Sequence, residues 1–174
     1  MSPLYIITED AQEDFEEEIM LDYFFACPNV GELVKVYSDE GHLFSGVVRS
    51  VEFRCDATDP LDSEVTLVLK KSRKRRGLSF YHAGDGDGNH PAFREEWSIA
   101  EGGDHLVLTF YKDNYTSVLG QTLTNFPPAV DWTIAFQNEH ARVQGKVIER
   151  VWLIHSEDWD SWEIAVLLDD GVTG

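Results

Sequence analysis

Residues 43–54 read Leu-Phe-Ser-Gly-Val-Val-Arg-Ser-Val-Glu-Phe-Arg, and this stretch decides the fold class. Its apolar residues recur with the short period of a β-strand. Gly46 falls where a strongly bent strand needs a residue without a side chain. Residues 33–37 alternate in the same way before a turn at 38–41, and residues 64–69 follow as a third strand. The stretch therefore predicts a β-meander.

A second segment repeats this three-strand pattern near the carboxyl end of the sequence. Residues 134–136, 143–152 and 160–168 match the three strands in order, and Gly145 takes the place of Gly46. The pattern of residues 4–7 is typical of a short strand or an apolar lead-in, and further strands are predicted at 78–82, 95–100 and 105–112. Residues 113–129 are predicted to be a connection, because Pro127 and Pro128 exclude a central strand there. Strands this frequent predict a mainly β (α+β) fold.

The repeated pattern resembles the start of a small SH3-like or Sm-like barrel. The resemblance implies antiparallel meanders built from a duplicated unit, although any bent antiparallel meander produces the same pattern. Sm-like modules typically bind RNA. Here the second segment carries acidic residues at 157, 158, 160, 163, 169 and 170, which have the wrong sign for a phosphate backbone.

The residues after the first strand predict one helix. Thr8 stands where an N-cap would accept a backbone N–H of the first turn. An apolar stripe follows at a spacing of four residues: Ala11, Phe15, Ile19 and Tyr23. The helix is expected to end before Pro28. With 174 residues we expect one compact domain, 1–174, with an acidic helix within 1–30, a first β unit with an insertion at 31–126, and a second β unit at 129–174.

The charge is the strongest indication of function. The chain has 32 acidic and 14 basic residues, a net charge of -18. Residues 9–22 hold eight of the carboxylates and no basic residue. In a helix, carboxylates four residues apart destabilise by on the order of 0.2–0.5 kcal/mol per pair, so stability alone does not explain this row. The negative electrostatic field of so many carboxylates repels nucleic acids and membranes and attracts basic proteins. A solvated face or a salt-adapted proteome would also explain the charge.

We therefore expect a non-enzymatic inhibitor whose carboxylates stand in for phosphates and occupy the basic site of a nucleic-acid-handling protein. In size and charge the chain is similar to the anti-restriction and anti-CRISPR proteins of phages. The expected contact residues form two groups: Glu9, Asp10, Glu13, Asp14, Glu16, Glu17, Glu18 and Asp22 first, then Glu157, Asp158, Trp159 and Asp160. The alternatives are an immunity protein that neutralises a nuclease toxin, and an SH3-like or Sm-like module that binds nucleic acid or protein.

The amino terminus does not resemble a signal peptide, and no apolar stretch approaches the ~20 residues that span a bilayer, so a cytoplasmic protein is expected. The basic run Lys70–Arg76 is typical of a nucleic-acid patch, or of a hairpin loop that docks on the protein's own acidic surface. Residues 85–89 imitate a calcium loop, but His90 stands where its turn needs glycine. No catalytic signature or metal-ligand spacing occurs, so we predict no catalytic residue, metal or cofactor.

Overall fold

The computed structural model describes residues 2–10, 12, 14–21, 26–55, 57–59, 63–79, 106–124, 126–137, 142–157 and 162–169. These residues form ten β-strands, one 3-10 turn at Asp113–Tyr115 and no α-helix, so the mainly β prediction is confirmed. The strands are β1 Ser2–Thr8, β2 Glu16–Leu21, β3 Leu33–Ser38, β4 Gly41–Cys55, β5 Ser63–Lys71, β6 Leu106–Lys112, β7 Ser117–Thr124, β8 Thr133–Gln137, β9 Arg142–His155 and β10 Glu163–Leu168.

The chain divides into two compact units. The first comprises Met1–Arg76 with Trp152–Trp162, and the second comprises Gly77–Val151 with Glu163–Gly174. β9 therefore contributes its last four residues to the first unit and the others to the second. The domain boundaries expected from the sequence stay predictions.

In the first unit the strand order is β2-β1-β5-β4-β3. β1 and β5 are parallel, whereas β1–β2, β4–β5 and β3–β4 are antiparallel. The buried apolar residues of β1 and β5 share one face, where Leu4 lies opposite Val65 and Ile6 opposite Leu67. All four side chains are buried. The parallel pair corrects the expectation of a purely antiparallel meander.

The second unit repeats this arrangement with the order β7-β6-β10-β9-β8. β6 and β10 form its parallel pair, and β6–β7 and β8–β9 are antiparallel. Leu108 lies opposite Ile164, and both are buried, as Leu4 and Val65 are in the first unit. Each unit therefore consists of two hairpins followed by a strand that lies parallel to the first one.

The two glycines of the repeated pattern occupy the same place in the two units. Gly46 pairs with Val34 of β3, and Gly145 pairs with Ile134 of β8. A Cβ atom on Gly46 would lie 2.8 Å from the Leu69 Cβ and 2.9 Å from the Lys70 carbonyl oxygen. On Gly145 it would lie 3.0 Å from an Asp169 carboxylate oxygen. The close approach of the next strand explains why both positions lack a side chain.

The turns that lead into β3 and β8 are also equivalent. Gly31 N–H donates to the Val48 carbonyl over 2.8 Å, and Asp131 N–H donates to the Val147 carbonyl over the same distance. Both turn residues have a positive φ, 89° at Gly31 and 73° at Asp131. Return bonds run from Val48 N–H to Glu32 and from Val147 N–H to Trp132, at 2.9 Å and 2.8 Å.

The predicted amino-terminal acidic helix is wrong. Its described residues up to Leu21 lie in the β1–β2 hairpin, in which Ile19 pairs with Leu4 and is buried. Phe15 and Ile19 fit a period of two as well as a period of four, and Glu17 between them is half-buried. Pairing with β1 satisfies the backbone hydrogen bonds and buries Ile19 without stacking carboxylates four residues apart along a helix. Ala11 and Tyr23 lie outside the described residues.

Other strand predictions have mixed outcomes. The strands predicted around 33–37, 43–54, 64–69, 105–112, 134–136, 143–152 and 160–168 are confirmed to within a few residues. The connection predicted at 113–129 is wrong in part, because it contains β7, which pairs with β6. Pro127 and Pro128 follow β7 rather than interrupt it. The strand predicted at 95–100 and most of the one at 78–82 lie outside the described residues.

Candidate protein-binding surface

One face of the first unit gathers carboxylates from three strands around Tyr5 of β1. Tyr5 lies opposite Glu18 of β2 and Thr66 of β5, and Thr66 lies opposite Glu52 of β4. Since directly paired residues point to the same side of a sheet, these side chains share one face. Glu16, two residues before Glu18, lies on this face as well. Glu64, two residues before Thr66, completes a group that we name the acidic face: Glu16, Glu18, Glu52 and Glu64 around Tyr5.

The exposure of these residues follows from the alternation of each strand. In β2, Glu16, Glu18 and Met20 are exposed, whereas Ile19 is buried on the opposite face. Glu52 is exposed, and the Glu64 side chain is 31% exposed. A strand rises about 3.4 Å per residue and strands lie about 4.8 Å apart. The acidic face therefore spans roughly 7 Å along β2 and roughly 14 Å across the four strands.

The local field of the acidic face acts on Tyr5. Its hydroxyl donates to a Glu18 carboxylate oxygen over 3.4 Å. The pKa of Tyr5 is raised, first by loss of solvent and then by the charges of Glu18 and Glu64. One base offsets part of this field, because Arg54 Nη1 lies 3.2 Å from Glu64 Oε1. Glu16, Glu18 and Glu52 have the exposure that a basic partner would need.

The first group of predicted contact residues does not form the single row expected of a helix. Glu16 and Glu18 belong to the acidic face, whereas Glu17 lies opposite Ile6 on the other side of the sheet. Glu9 forms an ion pair of 3.4 Å with Arg49. Two further predicted residues are exposed in the connection between β1 and β2, namely Asp10 and Asp14. Glu13 and Asp22 lie outside the described residues.

The second predicted group is described only at its start. Glu157 is exposed, and its backbone N–H donates to His155 Nδ1 over 3.3 Å. Asp158, Trp159 and Asp160 lie outside the described residues. Trp152 and Trp162 are 1% exposed, and Trp162 Nε1 donates to the His155 carbonyl over 3.2 Å. These two tryptophans are core residues of the first unit.

Sequence reasoning missed Glu52 and Glu64. The signal was present, because Glu52 lies between two apolar residues in Val-Glu-Phe and Glu64 begins the alternating stretch Glu-Val-Thr-Leu. With 43–54 and 64–69 paired as a hairpin, these residues fall on its outward face. Their position near Glu16 and Glu18 depends on β1 and β2, for which the sequence pattern indicates a short strand and a helix.

The basic run lies in the same unit, at the end of β5. Ser72 N–H donates to the Ser45 carbonyl over 2.9 Å, which attaches the run to β4. The exposed basic residues of the run are Lys70, Lys71, Arg73, Lys74 and Arg76. Arg75 is less exposed and has a φ of 56° in the turn. Both signs of charge are therefore present on the surface of the first unit.

Other candidate chemistry finds little support in the described part of the chain. Its histidines, cysteines and carboxylates form no group of three that could hold a metal ion. The calcium-like residues 85–89 lie outside it. His42 Nε2 lies 2.5 Å from Ser45 Oγ, and burial and then the charge of Lys35 lower the pKa of His42. His42 and Ser45 both belong to β4, so this contact is local to the β3–β4 hairpin.

Three buried polar side chains of the second unit are joined by hydrogen bonds. Thr109 Oγ1 donates to Glu163 Oε1 over 2.6 Å, and Gln121 Nε2 donates to Thr109 Oγ1 over 2.9 Å. The three side chains are at most 4% exposed. They connect β10, β6 and β7 and give the interior of this unit a defined register, which is a structural role.

Within the described residues, no helix has the length and apolar character needed to cross a membrane. Comparison with known proteins gives no relative from which a role could be transferred. No family model matches the chain, and neither a curated protein nor a solved structure shows significant similarity to it.

Proposed function

We propose that the protein is a non-enzymatic inhibitor that binds the basic nucleic-acid-binding surface of another protein in the cytoplasm. The observation that carries this proposal is the acidic face, where four carboxylates from β2, β4 and β5 surround Tyr5. A net charge of -18 adds a long-range field that steers a basic partner toward the protein. The small barrel that the sequence resembles stays a prediction.

The spacing of the carboxylates supports a partial imitation of phosphates. Residues on one face of a strand recur about every 6.8 Å, whereas one DNA strand carries a phosphate about every 3.4 Å along the helix axis. Glu16 and Glu18 would therefore match every second phosphate of one strand. Glu52, about 14 Å across the sheet, would offer a second contact to a basic groove.

The ion pairs of such an interface define its response to salt. Exposed charges attract over a Debye length of about 10 Å at 0.1 M salt and about 3 Å at 1 M. Complex formation by the acidic face should therefore be fast at low salt and should weaken as salt is added.

The test uses a pull-down from host lysate at low and at moderate salt, with duplex DNA as a competitor. The wild type is compared with Glu16→Gln/Glu18→Gln. The control, Glu40→Gln/Asp113→Asn, removes the same number of exposed charges elsewhere. Asn tolerates the positive φ of 50° at Asp113.

We expect the wild type and the control to retain one nucleic-acid-binding protein that DNA displaces, and the Glu16/Glu18 variant to lose it. Equal retention by all three proteins would refute a role for the acidic face. If the retained protein is a nuclease, the activity of that nuclease is assayed with and without the acidic chain. Inhibition of the nuclease would support the alternative of an immunity protein.

A nucleic-acid-binding module is the second candidate, because the basic run is exposed in the first unit. Its test is the variant Lys70→Glu/Lys71→Glu in a fluorescence anisotropy assay with labelled single-stranded RNA and duplex DNA. Binding that the wild type shows and this variant loses would favour the module. An absence of binding by the wild type at low salt would exclude it.

A further inference from the structure

The equivalence of the two units shows which surfaces correspond to each other. Phe53 and Trp152 both lie seven residues beyond the glycine of their strand, Gly46 in β4 and Gly145 in β9. The turn Asn29–Glu32 before β3 corresponds to the turn Ala129–Trp132 before β8, because both make the same backbone hydrogen bonds. A surface that is covered in one unit can therefore be compared with its counterpart in the other.

In the first unit, the outer edge of β3 is covered by the end of β9. β9 is the neighbour of β3 on the side away from β4, and its residues 152–155 belong to this unit. Trp152 is 1% exposed, and its Nε1 donates to Glu32 Oε2 in the turn before β3 over 2.8 Å. Ser156 N–H donates to the Tyr37 carbonyl of β3, also over 2.8 Å.

In the second unit, the corresponding edge has no strand beside it among the residues that the structure describes. β8 pairs with β9, and no other described residue pairs with it. The turn before β8 carries apolar side chains where the first unit has Glu32. Trp132 is 48% exposed and Val130 40%, and the Phe126 ring, 69% exposed, lies 5.9 Å from the Trp132 ring. We name Phe126, Val130, Trp132 and the outer edge of β8 the acceptor surface.

The counterpart of the covering segment is open as well. The last residues of β4, Val51–Cys55, pair with β5, whereas β3 pairs with β4 only as far as Val47. Phe53, the counterpart of the buried Trp152, is 63% exposed, and Val51 is 38% exposed. All five residues from 51 to 55 are exposed. We name them the donor segment.

We propose that the donor segment of one copy of this chain binds the acceptor surface of a second copy. The contact repeats what the end of β9 does on β3. The donor backbone lies along the outer edge of β8, and Phe53 packs on Val130 and Trp132 as Trp152 packs on the turn before β3. Strand addition supplies the hydrogen bonds, and the alternate apolar side chains supply the specificity.

A second copy is the best-supported occupant because the molecule contains both halves of the contact and one filled example of it. The contact is heterologous, so each copy keeps a free donor or acceptor until a ring closes or a fibre grows. Copies of charge -18 repel one another, and salt screens this repulsion. Self-association should therefore strengthen with salt, whereas binding of a basic partner to the acidic face should weaken. The inference does not rest on the proposed function.

The test is sedimentation velocity over a range of protein concentrations at low and at moderate salt. Wild-type protein should sediment faster as its concentration rises, and more so at moderate salt. Phe53→Glu, which disables the donor, and Trp132→Glu, which disables the acceptor, should each sediment as monomers. Val51→Lys is a second donor variant. Leu43→Glu, at an apolar position that is 40% exposed outside both surfaces, should associate like the wild type.

Mixing the two disabled proteins gives the sharpest result. Phe53→Glu keeps an intact acceptor and Trp132→Glu keeps an intact donor, so the mixture should form a one-to-one dimer and nothing larger. A wild type that stays monomeric at every concentration and salt would overturn the proposal. So would disabled variants that associate like the wild type, or a mixture that stays monomeric. Circular dichroism of each variant establishes that it is folded.

Discussion

The indole nitrogen of Trp152 lies 2.8 Å from Glu32 Oε2, and this hydrogen bond joins two buried side chains from opposite ends of the sequence. The same carboxylate oxygen accepts the backbone N–H of Asn29 over 2.9 Å. Glu32 therefore holds the turn before β3 and the end of β9 together through one atom.

Replacing Glu32 by leucine should destabilise the protein, because it leaves the buried indole N–H without this acceptor. A buried donor without a partner costs about 1–3 kcal/mol. Glu32→Gln keeps an amide oxygen in reach and should lose less. Urea unfolding followed by tryptophan fluorescence measures the two free energies. If both variants are equally destabilised, the hydrogen bond does not contribute as described.

Gly46→Ala should destabilise the first unit. The new Cβ would lie 2.8 Å from the Leu69 Cβ and 2.9 Å from the Lys70 carbonyl, so the backbone of β4 or β5 must move. Overpacking of this kind typically costs about 1–3 kcal/mol. Gly77→Ala is the matched control, because a Cβ at that position would have no atom of the described residues within 4 Å beyond its chain neighbours. Thermal unfolding that is equal for the two variants would contradict this account of Gly46.

The pKa of Tyr5 reports directly on the acidic face. Because the charge of Glu18 contributes to raising it, Glu18→Gln should lower this pKa toward 10, and Glu40→Gln should leave it unchanged. The measurement is an alkaline titration of tyrosinate absorbance, with Tyr5→Phe subtracted to isolate the signal. A Tyr5 pKa that is the same with and without the Glu18 charge would show that the two side chains do not interact.

The two cysteines should differ in reactivity toward a thiol reagent. Burial, and then the charge of Glu32, raises the pKa of Cys27 to about 11, so at pH 8 only about one thiol in a thousand is ionised. Cys55 is exposed at the end of β4. We expect one thiol to react rapidly in the folded protein and the second after unfolding. In Cys55→Ser the rapid phase should disappear, and its persistence would place the reactive thiol at Cys27.

The strands of the fold could be predicted because their signal is local. Alternation and one glycine in residues 43–54 indicate β4 to within two residues at either end. β2 could not be predicted in the same way, because residues 15–19 suit both a helix and a strand. The decision depends on pairing with β1, and periodicity within one segment does not contain that information.

The candidate site was predictable only in part. The acidic residues before and in β2 are visible as a cluster, and Glu16 and Glu18 do share one face. Glu52 and Glu64 join them through the parallel pairing of β1 with β5, between residues about 60 positions apart. Sequence reasoning reaches such a neighbour only after the strand order is known, which is also why the open edge of β8 could not be predicted.

The first unit is built from two separate stretches of the chain, and this has a consequence for how the protein folds during its synthesis. Most of that unit lies within the first 76 residues, but Trp152–Trp162 also belongs to it. Chains are synthesised from the amino end at about 5–20 residues per second, so β3 waits several seconds for the segment that covers its edge. During that time its edge is accessible to chaperones and to other nascent chains. The order of synthesis thus makes the amino-terminal part of this chain dependent on its last strands.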